Sequence, residues 1–175
     1  MNYATIKWTD IANGEGVRIS LFVSGCTRRC KDCFNAVAWD FSYGKPFDES
    51  VRESIYEGLK ADYIAGLSLW GGEPLEPENQ RALLPFVKEV KKRFPEKSIW
   101  CYTGNVFDPA TGLLKEQEKN TEVTEELISL FDVLVDGEFI EAQKNIRLKF
   151  RGSSNQRILD VKKSKISKSP VFYLD

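Results

Sequence analysis

Short apolar runs alternate with amphipathic stretches along the chain. Each apolar run stops at a glycine, which predicts short buried strands in RISLFVSG, GLSLWGG, SIWCYTG and DVLVDG. Apolar residues at helical spacing predict helices in ESVRESIYEGL, PENQRALLPFVKEVKKRF and TEVTEELISLF, with Asp48 as the N-cap of the first. Because strands and helices alternate, we predict an α/β fold whose mostly parallel strands form an open sheet or a partial barrel.

A motif with glycine or polar residues follows each predicted strand. A cysteine-rich loop follows the first, and GGEP, TGN and DGEF follow the other three in order. Ligands bind at the carboxyl ends of parallel strands, where the loops converge, so these motifs predict one site at one edge of the sheet. The polar stretch 105–122 after the third strand is expected to be a connecting loop.

The length of 175 residues favours a single domain over 1–175, in which the part from about residue 145 would be an extension. No apolar run approaches the roughly 18 residues of a membrane span, and no secretory signal begins the chain. We therefore expect a cytoplasmic protein without a membrane partner. The net charge of −1 gives no reason to expect nucleic acid. The lysines near the C-terminus are expected to form either a solvated face or a partner surface; they are Lys162, Lys163, Lys165 and Lys168.

The chain contains no histidine, so any metal chemistry must use thiolates, carboxylates or an external ligand. Cys26, Cys30 and Cys33 have the spacing C-x3-C-x2-C, and Gly25 permits the backbone turn that would aim them at one centre. Four interpretations compete: inert thiols, a disulfide with a spare thiol, a zinc site that also uses Cys101, and a four-iron cluster with one open iron. The cluster fits the ligand count best, because Cys101 lies in an apolar strand and is expected in the core.

These motifs together resemble the radical S-adenosylmethionine (SAM) enzymes, whose signature is C-x3-C-x2-C followed by a GGE-type glycine motif. More narrowly, the chain resembles the glycyl-radical-enzyme activating family and, within it, the activators of anaerobic ribonucleoside-triphosphate reductase. The resemblance runs along nearly the whole chain, in NGEGVR, LFVSGC, CFN, LSLWGGEPLEPEN, IWCYTG, VLVDGEF and RGSSNQR. It implies a partial, open (β/α) barrel of the radical SAM type.

The resemblance also implies a reaction. Cys26, Cys30 and Cys33 would bind a [4Fe-4S] cluster, and SAM would occupy the fourth iron. One electron from a flavodoxin- or ferredoxin-type donor would cleave SAM to methionine and a 5′-deoxyadenosyl radical. This radical would take hydrogen from a glycine of the large catalytic subunit of the reductase and leave a glycyl radical. In such an oxidoreductase the cofactors carry the chemistry, and the protein supplies position and excludes water and oxygen.

Contacts to SAM are predicted for two of the motifs. Gly71 and Gly72 would let the backbone approach the methionine amino group, which Glu73 would also bond. Asp32 and Phe34 flank Cys33 and would contact adenine, with Asp32 standing where many family members have an aromatic residue.

Other assignments stay open. Thr103, Asp136 and the polar loop Arg151–Gln156 are either turn formers or contacts to SAM or the partner. Two further functions share some of the motifs: a radical SAM enzyme for a small molecule, as in carboxy-deazaguanine synthases, and a non-catalytic iron-sulfur or zinc protein. The first would need more residues for a substrate pocket, and the second would make GGEP at a second strand end a coincidence.

Overall fold

The structure, a computed structural model, describes residues 1–175. Its strands are β1 (Asn2–Asp10), β2 (Val17–Val23), β3 (Lys45–Pro46), β4 (Ile64–Gly71), β5 (Ser98–Tyr102), β6 (Phe107–Asp108), β7 (Leu113–Leu114), β8 (Val133–Asp136), β9 (Arg157–Asp160) and β10 (Phe172–Leu174). Its helices are α1 (Glu49–Leu59), α2 (Pro77–Arg93), α3 (Thr124–Ser129) and α4 (Val161–Ser167).

The four predicted strands form the centre of an eight-stranded sheet with the order β10-β9-β8-β5-β4-β2-β1-β3. Strands β2, β4, β5 and β8 pair in parallel, and helices α1, α2 and α3 connect them, which confirms the α/β alternation. The Asp48 side chain accepts a hydrogen bond from the Val51 amide at 3.1 Å, as predicted for the N-cap of α1. None of the helices is both long and apolar enough to cross a membrane.

Antiparallel strands extend the sheet on both sides. β1 pairs with β2 and β3, and β9 pairs with β8 and β10. The prediction of mostly parallel strands is therefore correct only for the central four. A tight reversal joins β1 to β2, where Gly14 and Gly16 have φ of 121° and 77°, and such a short connection can only pair strands antiparallel. The sheet is mixed and open, with β10 and β3 at its edges.

The two faces of the sheet differ. The main core, a cluster of 26 buried residues, draws on all four helices and on strand residues such as Leu69 and Cys101. Their neighbours on the strands, Trp70, Trp100 and Tyr102, point to the opposite face and belong to a second, smaller cluster. Cys101 is fully buried in the main core, which confirms its predicted place.

The stretch 105–122 has more structure than a connecting loop. It contains the hairpin β6–β7 and a 3-10 turn over Gln117–Lys119. The hairpin lies next to α3, and its Phe107 and Leu114 are buried in the main core. This stretch therefore helps to close the core between β5 and α3.

Candidate functional site

The carboxyl ends of the central strands surround a cavity of about 400 Å³. One wall is the cysteine loop after β2, a second is the loop after β4, and a third is the segment between β8 and β9. The structure brings all the residues predicted for the site to this cavity, namely Cys26, Cys30, Asp32, Cys33, Phe34, Gly71, Gly72 and Glu73.

The cysteine loop is held at its base and turns sharply. Gly25 has φ of 98° and donates its amide to the Ala38 carbonyl at 2.8 Å, and the Cys26 amide donates to Trp39 at 3.1 Å. Further along, Arg29 and Asp32 adopt positive φ values of 49° and 62°, which non-glycine residues rarely do. The loop thus stores backbone strain between the thiols, as binding loops often do.

All three thiols of the loop are free and half-buried. Burial raises the pKa of Cys26, and the negative charge of Glu73 adds to this effect. Burial, together with the negative charge of Glu138, raises the pKa of Cys30 to about 11. Binding of iron would therefore have to release protons from these thiols. No three acidic or cysteine side chains converge closely enough for a single metal ion. A cluster takes each thiolate on a different iron, so three separated thiols along one cavity wall fit such a centre.

The ends of β2 and β4 approach each other so closely that only glycine fits at positions 71 and 72. Gly71 has φ of 114°, and a Cβ there would lie 2.5 Å from the backbone of Val23. A Cβ on Gly72 would lie 2.6 Å from the carbonyl oxygen of Gly25, at the base of the cysteine loop. The glycine pair therefore lets the β4 loop pack directly against the cysteine loop.

Glu73 is buried at the cavity, and its carboxylate joins the loop after β4 to the loop after β5. Its Oε1 accepts hydrogen bonds from the Leu75 amide (2.9 Å) and the Thr103 hydroxyl (2.7 Å), and its Oε2 accepts one from the Gly104 amide (2.8 Å). Burial raises the pKa of this carboxyl despite these donors. Oε2 keeps room for one further donor, such as a ligand ammonium group.

Two charged side chains, Glu76 and Arg28, hold the cysteine loop in place, and neither role was predicted from the sequence. Glu76 is buried, accepts hydrogen bonds from the Thr27 amide (2.8 Å) and hydroxyl (2.7 Å), and pairs with Lys119 Nζ at 2.8 Å. Arg28, which the sequence presents only as positive charge beside the thiols, donates to Asn105 Oδ1 at 2.7 Å. Both links fasten the loop to residues far along the chain. The GGEPLE motif, whose last residue is Glu76, is the signal that could have pointed to one of them.

The residues that sequence reasoning left open are hydrogen-bonded within the protein. The Thr103 hydroxyl donates a hydrogen bond to Glu73. Buried Asp136 accepts hydrogen bonds from Arg157 Nε (2.8 Å) and the Phe107 amide (2.8 Å). In the loop Arg151–Gln156, the Gln156 side chain accepts from the Gly152 and Ser153 amides and donates to the Gly137 carbonyl at 3.0 Å. These groups shape the walls of the cavity.

Aromatic side chains line the floor and mouth of the cavity. Trp70 packs edge-on against Tyr102 with ring centroids 3.9 Å apart, and Phe34 lies 6.2 Å from Trp70. Phe34 is 78% exposed, so its ring is accessible to a ligand at the mouth. Asp32, beside it in the loop, is also exposed.

Comparisons with known proteins identify the family of the chain. A protein-family model described as a 4Fe-4S single cluster domain matches residues 12–159. The anaerobic ribonucleoside-triphosphate reductase-activating protein of Haemophilus influenzae is 44% identical over 160 residues, covering 90% of this chain and 97% of the relative. The proteins of the same name from Escherichia coli K12 and phage T4 are each 38% identical, over 89% and 90% of this chain and 96% and 93% of their own lengths.

Proposed function

The chain belongs to the 4Fe-4S single cluster domain family and to the anaerobic ribonucleoside-triphosphate reductase-activating proteins, and on this premise we propose that it activates such a reductase. The observation that carries the proposal is the shared cavity. The three thiols of the C-x3-C-x2-C loop and the glycine-glycine-glutamate loop line the same cavity at the carboxyl ends of β2 and β4.

In this proposal Cys26, Cys30 and Cys33 hold a [4Fe-4S] cluster. The cluster would supply one electron to bound SAM, which would give methionine and a 5′-deoxyadenosyl radical; this radical would take hydrogen from a glycine of the large reductase subunit and leave a glycyl radical. The protein binds, orients and shields these groups.

The same cavity offers groups that suit SAM. Gly71 and Gly72 are half-buried and line the cavity without a side chain, so their backbone can approach a ligand, and Glu73 Oε2 retains an acceptor site for the methionine ammonium group. Asp32 and Phe34 at the mouth suit adenine, with Phe34 offering an exposed ring. These residues therefore orient SAM in the proposal.

The fold suits a macromolecular substrate. We take the open sheet as the partial barrel of the radical SAM type, with residues 1–175 as one domain and the part from about residue 145 as the wall that carries RGSSNQR. An open side would admit a glycine-bearing segment of the reductase. A flavodoxin- or ferredoxin-type donor, a cytoplasmic setting and the absence of nucleic-acid or membrane partners complete the proposal.

The test is anaerobic. The protein is reconstituted with iron and sulfide, reduced and given SAM, and 5′-deoxyadenosine is quantified with and without the large reductase subunit, whose glycyl radical is followed by electron paramagnetic resonance. We expect both products from the parent and from Cys101→Ala, and neither from Cys30→Ala.

Other results would redirect the assignment. Formation of 5′-deoxyadenosine without a glycyl radical on any reductase subunit would favour a small-molecule substrate. A protein that takes up zinc and no iron would show that the cysteines have a structural role.

A further inference from the structure

Four cations without carboxylate partners lie on the two segments that wall the cavity, each next in sequence to a lining residue. Arg29 and Lys31 lie on the cysteine loop, and Arg147 and Lys149 lie on the opposite segment, between β8 and β9. All four are exposed, and none has a carboxylate within 4.0 Å, although the chain as a whole has a net charge of −1. We call these four residues the basic collar.

Exposed apolar side chains lie on or next to the same two segments as the basic collar. Phe34 and Ile146, both at the cavity, are 78% and 92% exposed, and Val37 just after the cysteine loop is 58% exposed. Leu148 also lines the cavity and alternates with the two cations of its segment. An apolar centre with a charged rim is the usual composition of a protein-protein interface.

The reaction determines which partner needs this surface. Each cleavage of SAM under the proposed function consumes one electron, and electron tunnelling between proteins requires a short distance between the redox groups. The thiols of the cysteine loop reach the surface at this mouth. A donor must therefore dock there. The four cations outnumber the exposed carboxylates of Asp32 and Glu141 at this cavity, so the rim favours a partner with a negative face.

We propose that the basic collar is the docking surface of an acidic, one-electron donor protein, and that the donor and the reductase occupy it in turn. The inference rests on the proposed function. The donor loses one electron, and the iron-sulfur centre gains it, so no other oxidant or reductant is needed. Because the same mouth must later admit the glycine of the reductase, the donor has to leave before that subunit binds.

The lysines of α4 do not fit this role. Lys163 pairs with Asp160 at 3.3 Å and Lys165 with Glu125 at 3.5 Å, so part of their charge is neutralised. Helix α4 starts at Val161, whose amide bonds the Asp132 carbonyl just before β8 begins. It therefore lies at the end of the sheet opposite the cavity. Lys162 and Lys168, which have no ion-pair partner there, supply a matched control.

The experiment compares two double variants of equal charge change in the reconstituted protein. One has Arg147→Glu with Lys149→Glu in the basic collar, and the other has Lys162→Glu on α4 with Lys168→Glu just after it. Iron content is matched first. Binding of a purified acidic flavodoxin is measured by calorimetry, and reduction of the cluster by its hydroquinone form is followed by stopped-flow absorbance at low and high salt, with dithionite as the small reductant.

At low salt, we expect the collar variant to bind flavodoxin at least tenfold more weakly than the parent and to be reduced by it at least tenfold more slowly. Both differences should shrink at high salt. Reduction by dithionite stays unchanged, and the α4 variant stays within twofold of the parent. Excess large reductase subunit slows reduction of the parent by flavodoxin.

Equal binding and reduction in the parent and the collar variant would overturn the proposal. So would a collar variant that loses the reductase but keeps flavodoxin, or simultaneous binding of both partners to the parent. Failure of the proposed function looks different: no 5′-deoxyadenosine would form even with dithionite as reductant.

Discussion

The four cysteines occupy two environments that their spacing already separates. Three lie on a strained, half-exposed loop, and Cys101 lies on β5 among the apolar side chains of the main core. Burial raises the pKa of Cys101 well above its ordinary value, so its thiol stays protonated. Reactivity and metal binding therefore belong to the loop.

This difference gives a direct prediction. Cys101→Ala should keep the full iron content after anaerobic reconstitution and lower the free energy of unfolding by about 1 kcal/mol, because only a small buried group is removed. Cys26→Ala should lose most of the iron with little change in the unfolding of the apo protein. Iron analysis and urea denaturation measure the two effects, and loss of iron in the Cys101 variant would contradict the assignment.

At the scale of elements, Glu76 connects the start of α2 to the cysteine loop and to Lys119. Burial raises its pKa, but hydrogen bonds from Lys119 and Thr27 together outweigh burial and lower it below the ordinary value. The charged carboxylate therefore stabilises the fold at pH values above about 4.5, and this contribution is lost as pH falls through the lowered pKa.

Glu76→Gln should lower the free energy of unfolding at pH 7 by about 1–3 kcal/mol, since a charged hydrogen-bond acceptor is replaced by an amide. The loss should shrink as the pH is taken from 5 towards 3, where the parent also loses the charge. Urea denaturation across this range measures both. Glu118→Gln, on an exposed side chain of the same stretch, is the matched control, and an equal effect there would refute the role of Glu76.

Gln156 has a similar function for the wall between β8 and β9. Its side chain joins Gly137, at one end of that segment, to Gly152 and Ser153 at the other. Gln156→Ala should therefore increase hydrogen exchange of the amides in 138–152 by tenfold or more while the melting temperature changes little. Gln117→Ala, at an exposed position elsewhere, should leave this exchange unchanged. Unaltered protection in the Gln156 variant would show that other contacts hold the wall.

The pattern of apolar positions predicts the central elements well because β2, β4, β5 and β8 are buried on both faces and a glycine lies at the end of each strand or within two residues after it. β1 is not predicted, because its TIKWTD segment is largely exposed and so lacks a continuous apolar run. β9 and β10 are four and three residues long, and β6 and β7 have two each, which is too short for a period to show.

At the scale of the whole molecule, the order of motifs along the chain predicts the site because parallel strands bring their carboxyl ends to one edge. Partners distant in sequence are not predictable in this way. Asn105 beside Arg28, and Lys119 beside Glu76, become neighbours only once the loops fold over the strand ends. Side-chain pairing across loops follows from tertiary packing, which no local pattern encodes.

Arg18 braces the molecule at the other end of the sheet. Its buried guanidinium donates to Ser68 Oγ (2.8 Å), to Ser98 Oγ (2.9 Å) and to the carbonyls of Glu15 (3.0 Å), Leu67 (2.9 Å) and Ser98 (2.8 Å). It thereby ties the β1–β2 turn to β4 and β5. Burial lowers the pKa of Arg18 to about 10, so it remains charged at neutral pH.

Arg18→Met should cost about 3 kcal/mol or more of unfolding free energy, because several buried carbonyls lose their donor. Arg18→Lys should recover little of this, since an ammonium group cannot match the planar fork. Global denaturation measures both variants. Arg81→Met, which removes only an exposed pair with Glu122, should cost at most about 1 kcal/mol. Comparable losses at Arg18 and Arg81 would argue against the brace.

The four tryptophans are divided by the cavity. Trp39 and Trp70 line it, whereas Trp100 is buried in the smaller cluster behind the cavity lining and Trp8 is partly exposed on β1. An iron-sulfur centre absorbs across the near-ultraviolet range, so assembly in the cavity would quench the emission of Trp70 and Trp39 more than that of the other two. The chain thus carries its own optical probe of cofactor loading, and changing Trp70 to Phe would remove much of that signal.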